Sequence, residues 1–260
     1  MKTGNPKTGT IVLKAAAMLF AVTMAAVVPA EAAGVDPAAT QILKRMTDYL
    51  GGLQRFSVHT QNTIEDLLDS GQRVDEDIST SVVVSRPNKL RAERKGDVVD
   101  HDFYYDGREL TLYDLSDKVY ATVAAPDTVE GMLGFAHRSL GIAIPAADLI
   151  YHNAYPLLME DVTSAIVIGK AVISGVQCDH LAFSRPGVDF QVWIADEGQP
   201  LPYKYVVTDT ATPALLSVAT VMSNWDVAPV LSDASFSFVP PQGAKGIPFM
   251  RLDAGSASNP

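Results

Sequence analysis

The side chains able to do chemistry are few and scattered. The five histidines are His59, His101, His137, His152 and His180, and no pair has the H-E-x-x-H or H-x-H spacing of a metal site. Asp100-His101-Asp102 is the most suggestive cluster, because carboxylate and imidazole together would suit a metal ion. Adjacent residues of a strand point to opposite faces, so these three side chains cannot converge. Asp179-His180 fails for the same reason. There is no G-x-S-x-G elbow, no phosphate-binding loop and no dinucleotide fingerprint. Cys178, the lone cysteine, sits in an apolar-polar alternation and reads as a small buried hydrophobe rather than a nucleophile. No catalytic residue, metal or cofactor is expected, and an enzyme ranks last among the readings.

What recurs is apolar surface. Phe190, Val192 and Ile194 alternate with Gln191 and Trp193, Leu110 and Leu112 share a face opposite Thr111 and Tyr113, and Val82 and Val84 oppose Val83. Several strands are therefore apolar on both faces. Either one face packs on helices while strand curvature shields the other, or a concave face lines a pocket for an apolar ligand.

The elements carrying these residues follow from periodicity. Asp36 suits an N-cap and Pro37 the first helical position. Ile42, Leu43, Met46, Tyr49 and Leu50 then recur at helical spacing until Gly51-Gly52 ends the run. Strands are expected at 56–68, 73–85, 89–95, 98–105, 108–114 and 118–123, and again at 165–173, 177–184, 188–195, 203–210, 215–225 and 234–238. Short polar turns, such as Asp106-Gly107, make them an antiparallel meander. Between the two sets, Asp127 and Glu130 form a capping-box variant ahead of a broad apolar face that includes Met132, Leu133, Phe135, Ala136 and Leu140. The inserted helices at about 127–161 are the best candidate for a mobile cover. Eleven or twelve strands must curl or close, since large flat open sheets are rare. The expected fold is mainly β with α: a curved antiparallel sheet forming an incompletely closed barrel under a helical lid.

The start of the chain concerns destination. Lys2, Lys7 and Lys14 precede an apolar run from Ala15 to Val28, and Ala30-Glu31-Ala32 is an A-x-A cleavage signal. This is the pattern of a secretory signal peptide over 1–32, cleaved near Ala32 or Ala33. The run is short for a bilayer span, which takes about 20 apolar residues. The mature chain is expected to be soluble in a periplasm, without an integral membrane segment, as one domain over 33–254 with a disordered tail at 255–260. Loss of 1–32 lowers Lys+Arg from 20 to 17 and Asp+Glu from 30 to 29, so the net charge moves from −10 to −12. So acidic a body repels phosphates, which argues against nucleic acid as a partner.

Four segments carry a resemblance. Arg86-Pro87-Asn88-Lys89-Leu90-Arg91 is similar to the RP-x-K-x-R strand of the lipoprotein-carrier superfamily typified by LolA and LolB, and Tyr105–Asp114 to its next hairpin. Trp193-Ile194-Ala195-Asp196 through Leu201-Pro202 resembles its W-I-D…LP strand pair, and Phe236–Ala244 its F-x-F-x-P-P-x-G-A end. Gly175–Phe183 and Asp189–Ile194 most resemble an uncharacterised family of predicted periplasmic proteins within that superfamily. The resemblance implies an eleven-stranded half-barrel, a helical lid and a concave cavity able to take acyl chains. Thr111 stands where an aromatic is common in the carriers.

These readings converge on binding or carriage of an apolar ligand, a lipid or lipoprotein acyl chain, by burial rather than chemistry. The expected lining is Met132, Leu133 and Phe135 on the lid with Leu110, Leu112, Phe190, Val192 and Ile194 on strands; for each, plain core packing is the alternative. The rival function is a protein-interaction module that recruits an envelope partner along exposed strand edges, without ligand or catalysis.

Overall fold

The computed structural model describes residues 34–142 and 144–249; the expected signal peptide and C-terminal tail lie outside them. The chain opens with helix α1 (Pro37–Gly52), where the Asp36 carboxylate accepts from the Ala38 amide at 2.8 Å. Six antiparallel strands follow: β1 (Arg55–Leu67), β2 (Arg73–Ser85), β3 (Lys89–Gly96), β4 (Asp100–Tyr105), β5 (Glu109–Asp114) and β6 (Val119–Ala124). Helix α2 (Val129–Leu140), a 3-10 turn (Ala147–Ile150) and helix α3 (Ala154–Met159) come next. Strands β7 (Ser164–Ile173), β8 (Val176–Arg185), β9 (Val188–Ala195), β10 (Pro202–Asp209) and β11 (Ser217–Asp226) complete the meander, and a two-residue strand β12 (Lys245–Gly246) ends it.

All twelve strands of the described residues belong to one unclosed sheet, in the order β12-β6-β5-β4-β3-β2-β1-β11-β10-β9-β8-β7. The join between halves is β1 against β11, so β6 and β7 fall at or next to opposite edges. The chain leaves the sheet at β6 and re-enters at β7. Residues 125–163 must therefore travel from one side of the sheet to the other. Val129, Met132, Leu133, Ala136, Leu149 and Leu158 from this stretch are buried in the same core as the inner strand faces, which places it over the concave side.

Register sorts that side into rows. Phe56, Val84, Leu90, Tyr105 and Leu110 stand abreast across β1 to β5; the next row is Val58, Val82, Ala92, Phe103 and Leu112. The third is Thr60, Thr80, Arg94, His101 and Asp114, with Met222 of β11 beside Thr60. Two residues along each strand carry the surface from aromatic and aliphatic to polar.

Two local expectations are corrected. The segment 234–238 is no strand: Asp233–Phe236 is a 3-10 turn. Its alternating aromatics have separate destinations, Phe236 in the interior and Phe238 among Tyr104, Tyr113 and Tyr120, at ring-centroid distances of 5.4, 5.5 and 5.1 Å. The sheet edge beside β6 is taken instead by β12, pairing in parallel. The N-cap of α2 is Thr128, whose hydroxyl accepts from the Gly131 amide at 3.0 Å, rather than Asp127. Glu130 is drawn into a different contact, described below.

Phe238 holds the segment between Phe236 and β12 against β4, β5 and β6 through ring contacts, and neutral aromatic contacts contribute about 0.5–1.5 kcal/mol each beyond area burial. Phe238→Ala is expected to lower unfolding free energy by about 2–3 kcal/mol, less than the 3–5 of a fully buried ring, as read by urea denaturation.

Candidate functional site

Between the first two rows and the cover lies a hollow with about 870 Å³ of space unoccupied by atoms, part of it open to solvent. It is narrow, since only about 60 Å³ admits the centre of a water molecule. Its floor includes Phe56, Val58, Val82, Leu90, Ala92, Phe103 and Leu110, and its roof includes Met132, Ala136, Ile144 and Leu149. Polar groups enter only at one end: Thr60, Asn62, Thr80 and Arg94. Asn62 donates through Nδ2 to Thr60 (3.0 Å), to the Ile78 carbonyl (3.1 Å) and to Thr80 (3.3 Å), while its Oδ1 accepts from Thr220 (2.9 Å). Burial lowers the Arg94 pKa, but a guanidinium stays protonated regardless.

Of the lining read from sequence, Leu110 and Met132 border this hollow. Leu133 is buried and Leu112 packs against the same core without bordering the space, and Phe135 is half-buried outside it. Phe190, Val192 and Ile194 are fully enclosed, at 2%, 0% and 0% exposure. The reason is α1. Gly34 and Asp36 bond to Ala165 at the start of β7, which lays the helix along β7 and β9 and puts Ala39, Leu43 and Met46 into the core there. One half of the concave face is thus filled by the chain's own helix; the other is left to the cover.

What holds the cover is a residue that sequence reasoning did not single out for a role. Arg86, at the junction of β2 and β3, has a side chain only 5% exposed. Its Nε donates to the Leu53 carbonyl at 3.1 Å, one amino group donates to Glu130 Oε1 at 3.0 Å, and the other donates to the Ile150 carbonyl. The guanidinium also lies 6.0 Å from the Phe56 ring centre. One cation therefore joins the end of α1, the start of α2 and the 3-10 turn to the rim of the sheet. Burial lowers the Arg86 pKa while Glu130 raises it back, again without loss of charge.

Two further ties act on the same stretch. Glu130 Oε1 also accepts from the His152 amide at 2.8 Å, and His152 Nδ1 donates to the Gly51 carbonyl at 2.9 Å. A methyl on Gly51 would stand 2.2 Å from the His152 carbonyl oxygen. Gly51 and Gly52 are helical without a left-handed turn, so the glycine at 51 serves this close approach rather than helix termination. Tyr205 donates to Asp148 at 2.7 Å, pinning the turn to β10. Burial raises both pKa values, with the Asp148 carboxylate adding to the rise at Tyr205.

The remaining polar candidates behave as strand geometry requires. His101 Nε2 is 3.2 Å from Asp114, whereas Asp102 accepts from Tyr104 two residues along its own face. Burial and the nearby Asp196 push the Cys178 thiol up to about 11; its side chain is fully enclosed. Thr111, in place of an aromatic, shares a 2.8 Å hydroxyl contact with Thr122. Among the described residues, no three His, Cys, Asp or Glu side chains are grouped to hold a metal ion.

A family model described as "Predicted periplasmic protein (DUF2092)" matches residues 39–250. The chain belongs to that family. No curated protein sequence matches it. Among solved structures, this DUF2092 member is similar to an uncharacterized conserved protein from Thermus thermophilus (12% identity, 81% of this chain and 99% of that one, TM-score 0.48). It is also similar to the Mycobacterium tuberculosis lipoprotein LppX (17%, 75% and 98%, 0.45) and to a LolA superfamily protein from Nitrosomonas europaea (12%, 77% and 97%, 0.41). No helix among the described residues is long and apolar enough to cross a membrane.

Arg86→Leu strands two carbonyls and Glu130, and is expected to cost about 2–4 kcal/mol, somewhat below a fully buried pair because Glu130 is partly exposed. Hydrogen exchange at 147–159 should accelerate by about tenfold or more in Arg86→Leu and in Gly51→Ala, with β8 and β9 unchanged. Asp148 gives a pH test. Its pKa is raised in the fold, so native protein holds this proton where unfolded chain has lost it, and stability falls as pH rises from about 4. Asp148→Asn removes that penalty. It should be more stable than wild type at pH 7, with the gain gone at pH 3, as read by thermal melts at both values.

Proposed function

We propose that this protein binds a single apolar guest in the hollow between its curved sheet and helical cover, and releases it when the cover lifts. The carrying observation is a mostly apolar hollow, about 870 Å³ counting the part open to solvent, roofed by a segment held through a few polar ties. No chemical step is involved. Each methylene moved out of water contributes about 0.8 kcal/mol, so one acyl chain supplies useful affinity. The guest class is a lipid or a lipoprotein acyl chain. The narrowness of the space means that the guest enters by displacing the cover rather than by filling a standing void. Arg86 suits such a movement, because its partners are mostly carbonyl oxygens and a half-exposed carboxylate, groups that water can satisfy once the cover lifts.

The protein would do this in the periplasm, after removal of residues 1–32, as one half-barrel domain over 33–254. N-terminal sequencing of exported protein is expected to start at Ala33 or Gly34. A second reading rests on the edge of β7 beyond Ala165, whose own backbone groups are taken by Gly34 and Asp36; there Ile168 and Val172 are 53% and 66% exposed, and that stretch could receive a partner's strand.

The test is native mass spectrometry of protein purified from a periplasm, followed by uptake of a fluorescent fatty acid after delipidation. The expected result is a co-purifying mass of lipid size and saturable uptake. Uptake should be lost in Ala92→Phe, which fills the floor at a cost of about 1–3 kcal/mol while leaving the fold in place. Neither lipid nor uptake, with a defined protein adduct on crosslinking in cells, would favour the strand-edge reading.

A further inference from the structure

We infer that a second site, on the face of the sheet turned away from the hollow, binds a small organic ammonium ion beneath the C-terminal segment. None of its lining residues borders the hollow, so it stands apart from the apolar guest. Register defines the place. Arg91, Tyr104, Thr111 and Thr122 stand abreast across β3 to β6. They are one residue off the row of Leu90, Tyr105 and Leu110, and so face the other way. The chain beyond β11 crosses this face: Asp233 pairs with Lys89, Phe238 meets three tyrosines, and β12 joins β6. Thr111 and Thr122 are short side chains among rings. Between them and the crossing segment a space remains, about 550 Å³ counting what is open to solvent. About 220 Å³ of it admits the centre of a water molecule, against about 60 Å³ in the hollow. It is a standing, polar void that a guest need not force open.

The walls set the sign of the guest. Four rings border the space, those of Tyr104, Tyr120, Phe236 and Phe238, and ring faces carry negative partial charge. Two carboxylates, Asp106 and Glu109, border it as well. Asp106 accepts from the Arg108 and Glu109 amides through Oδ1, at 2.9 and 3.0 Å, which leaves Oδ2 to a guest. The Glu109 carboxylate has no partner among the described residues. No Lys, Arg or His is among the described lining residues. The nearby cations of β3 are already engaged, Lys89 by Asp233 and Arg91 by Glu93, with Arg91 also 5.0 Å from the Tyr104 ring centre. Arg108, between the two acids, forms no ion pair among the described residues. An anion would meet two like charges here. A sugar or an alcohol would find hydrogen bonds at the Thr111 and Thr122 hydroxyls but leave both carboxylates uncompensated. A metal ion lacks ligands, since no three suitable side chains are grouped among the described residues. An ammonium ion gains from rings and carboxylates together, and a chain of net charge −10 draws cations toward it.

The test is calorimetric titration of the exported protein at low salt with four probes: choline, n-butylammonium, glucose, and 3,3-dimethyl-1-butanol, the uncharged isostere of choline. At least one ammonium ion should bind roughly tenfold more tightly than the isostere. A lead for choline names a quaternary head; a lead for butylammonium names a primary amine. On titration the backbone amide resonances of Thr111 and Thr122 should shift, while those of Leu43 and Val192 stay in place. Glu109→Gln changes only an exposed side chain and should weaken binding about threefold, with the difference shrinking at high salt. Thr111→Phe sets a ring on the floor and should abolish binding, with the circular dichroism spectrum unchanged. If Thr111→Phe does not fold, Glu109→Gln decides alone. Isostere or glucose binding as tightly as either ammonium ion overturns the assignment. So does the absence of ammonium binding, or ammonium binding that Glu109→Gln leaves unchanged. None of these outcomes bears on the apolar hollow.

Discussion

A single buried guanidinium organises this molecule. Arg86 sits where α1 ends, α2 begins and the 3-10 turn passes, and it donates to all three. Without it, the carbonyls of Leu53 and Ile150 would face a desolvated rim with nothing to accept, a cost of about 1–3 kcal/mol for each unsatisfied group. The cover is therefore attached by a polar knot at one corner, by single polar bonds such as Tyr205 to Asp148, and by apolar contact. That combination suits a part that must lift and return. Apolar contact alone has no preferred register, and a dense polar network would not come apart.

The topology makes such a cover unavoidable. The first meander ends at β6 and the second begins at β7, on opposite sides of one unclosed sheet. Whatever joins them has to pass over a face, and the concave face is the one with apolar surface to bury. Helix α1 takes one half of that face because Gly34 and Asp36 are tied to Ala165. The remaining half falls to the connecting segment, which carries short helices, with Pro145 between α2 and the 3-10 turn and Pro156 in the first turn of α3, and fills it less completely. The hollow is the space left between a strongly anchored helix and a loosely anchored one.

Much of the scaffold could be read from the chain. Period-two alternation placed eleven strands to within a residue or two at most ends, and Asp36-Pro37 located the start of α1. The failures have particular causes. Phe236 and Phe238 mimic a strand because they alternate with exposed residues, yet Phe236 is buried in the interior while the half-buried Phe238 goes to three tyrosines on β4, β5 and β6, a distinction periodicity cannot make. Asp127 is an equally good cap on composition, but Glu130 is taken by Arg86 and cannot complete a capping box. Phe190, Val192 and Ile194 alternate just as lining residues would; only the docking of α1 turns them into core. Arg86 itself was legible as part of a motif and illegible as a clasp, because its partners lie 33, 44 and 64 residues away. The polar row at Thr60, Thr80 and Arg94 is hidden for a similar reason. It exists only once three strands are set in register.

The central claim is spatial: a guest's chain lies between β1–β5 and the cover. The most direct measurement is intermolecular nuclear Overhauser contacts from a carbon-13-labelled fatty acid to assigned methyl groups. The account predicts contacts to Val58, Val82, Leu90, Leu110 and Met132, with none to Val167, Ile168 or Val172 on β7. Contacts confined to β7, or chain protons that see no methyl group of the inner rows at saturating ligand, would contradict it.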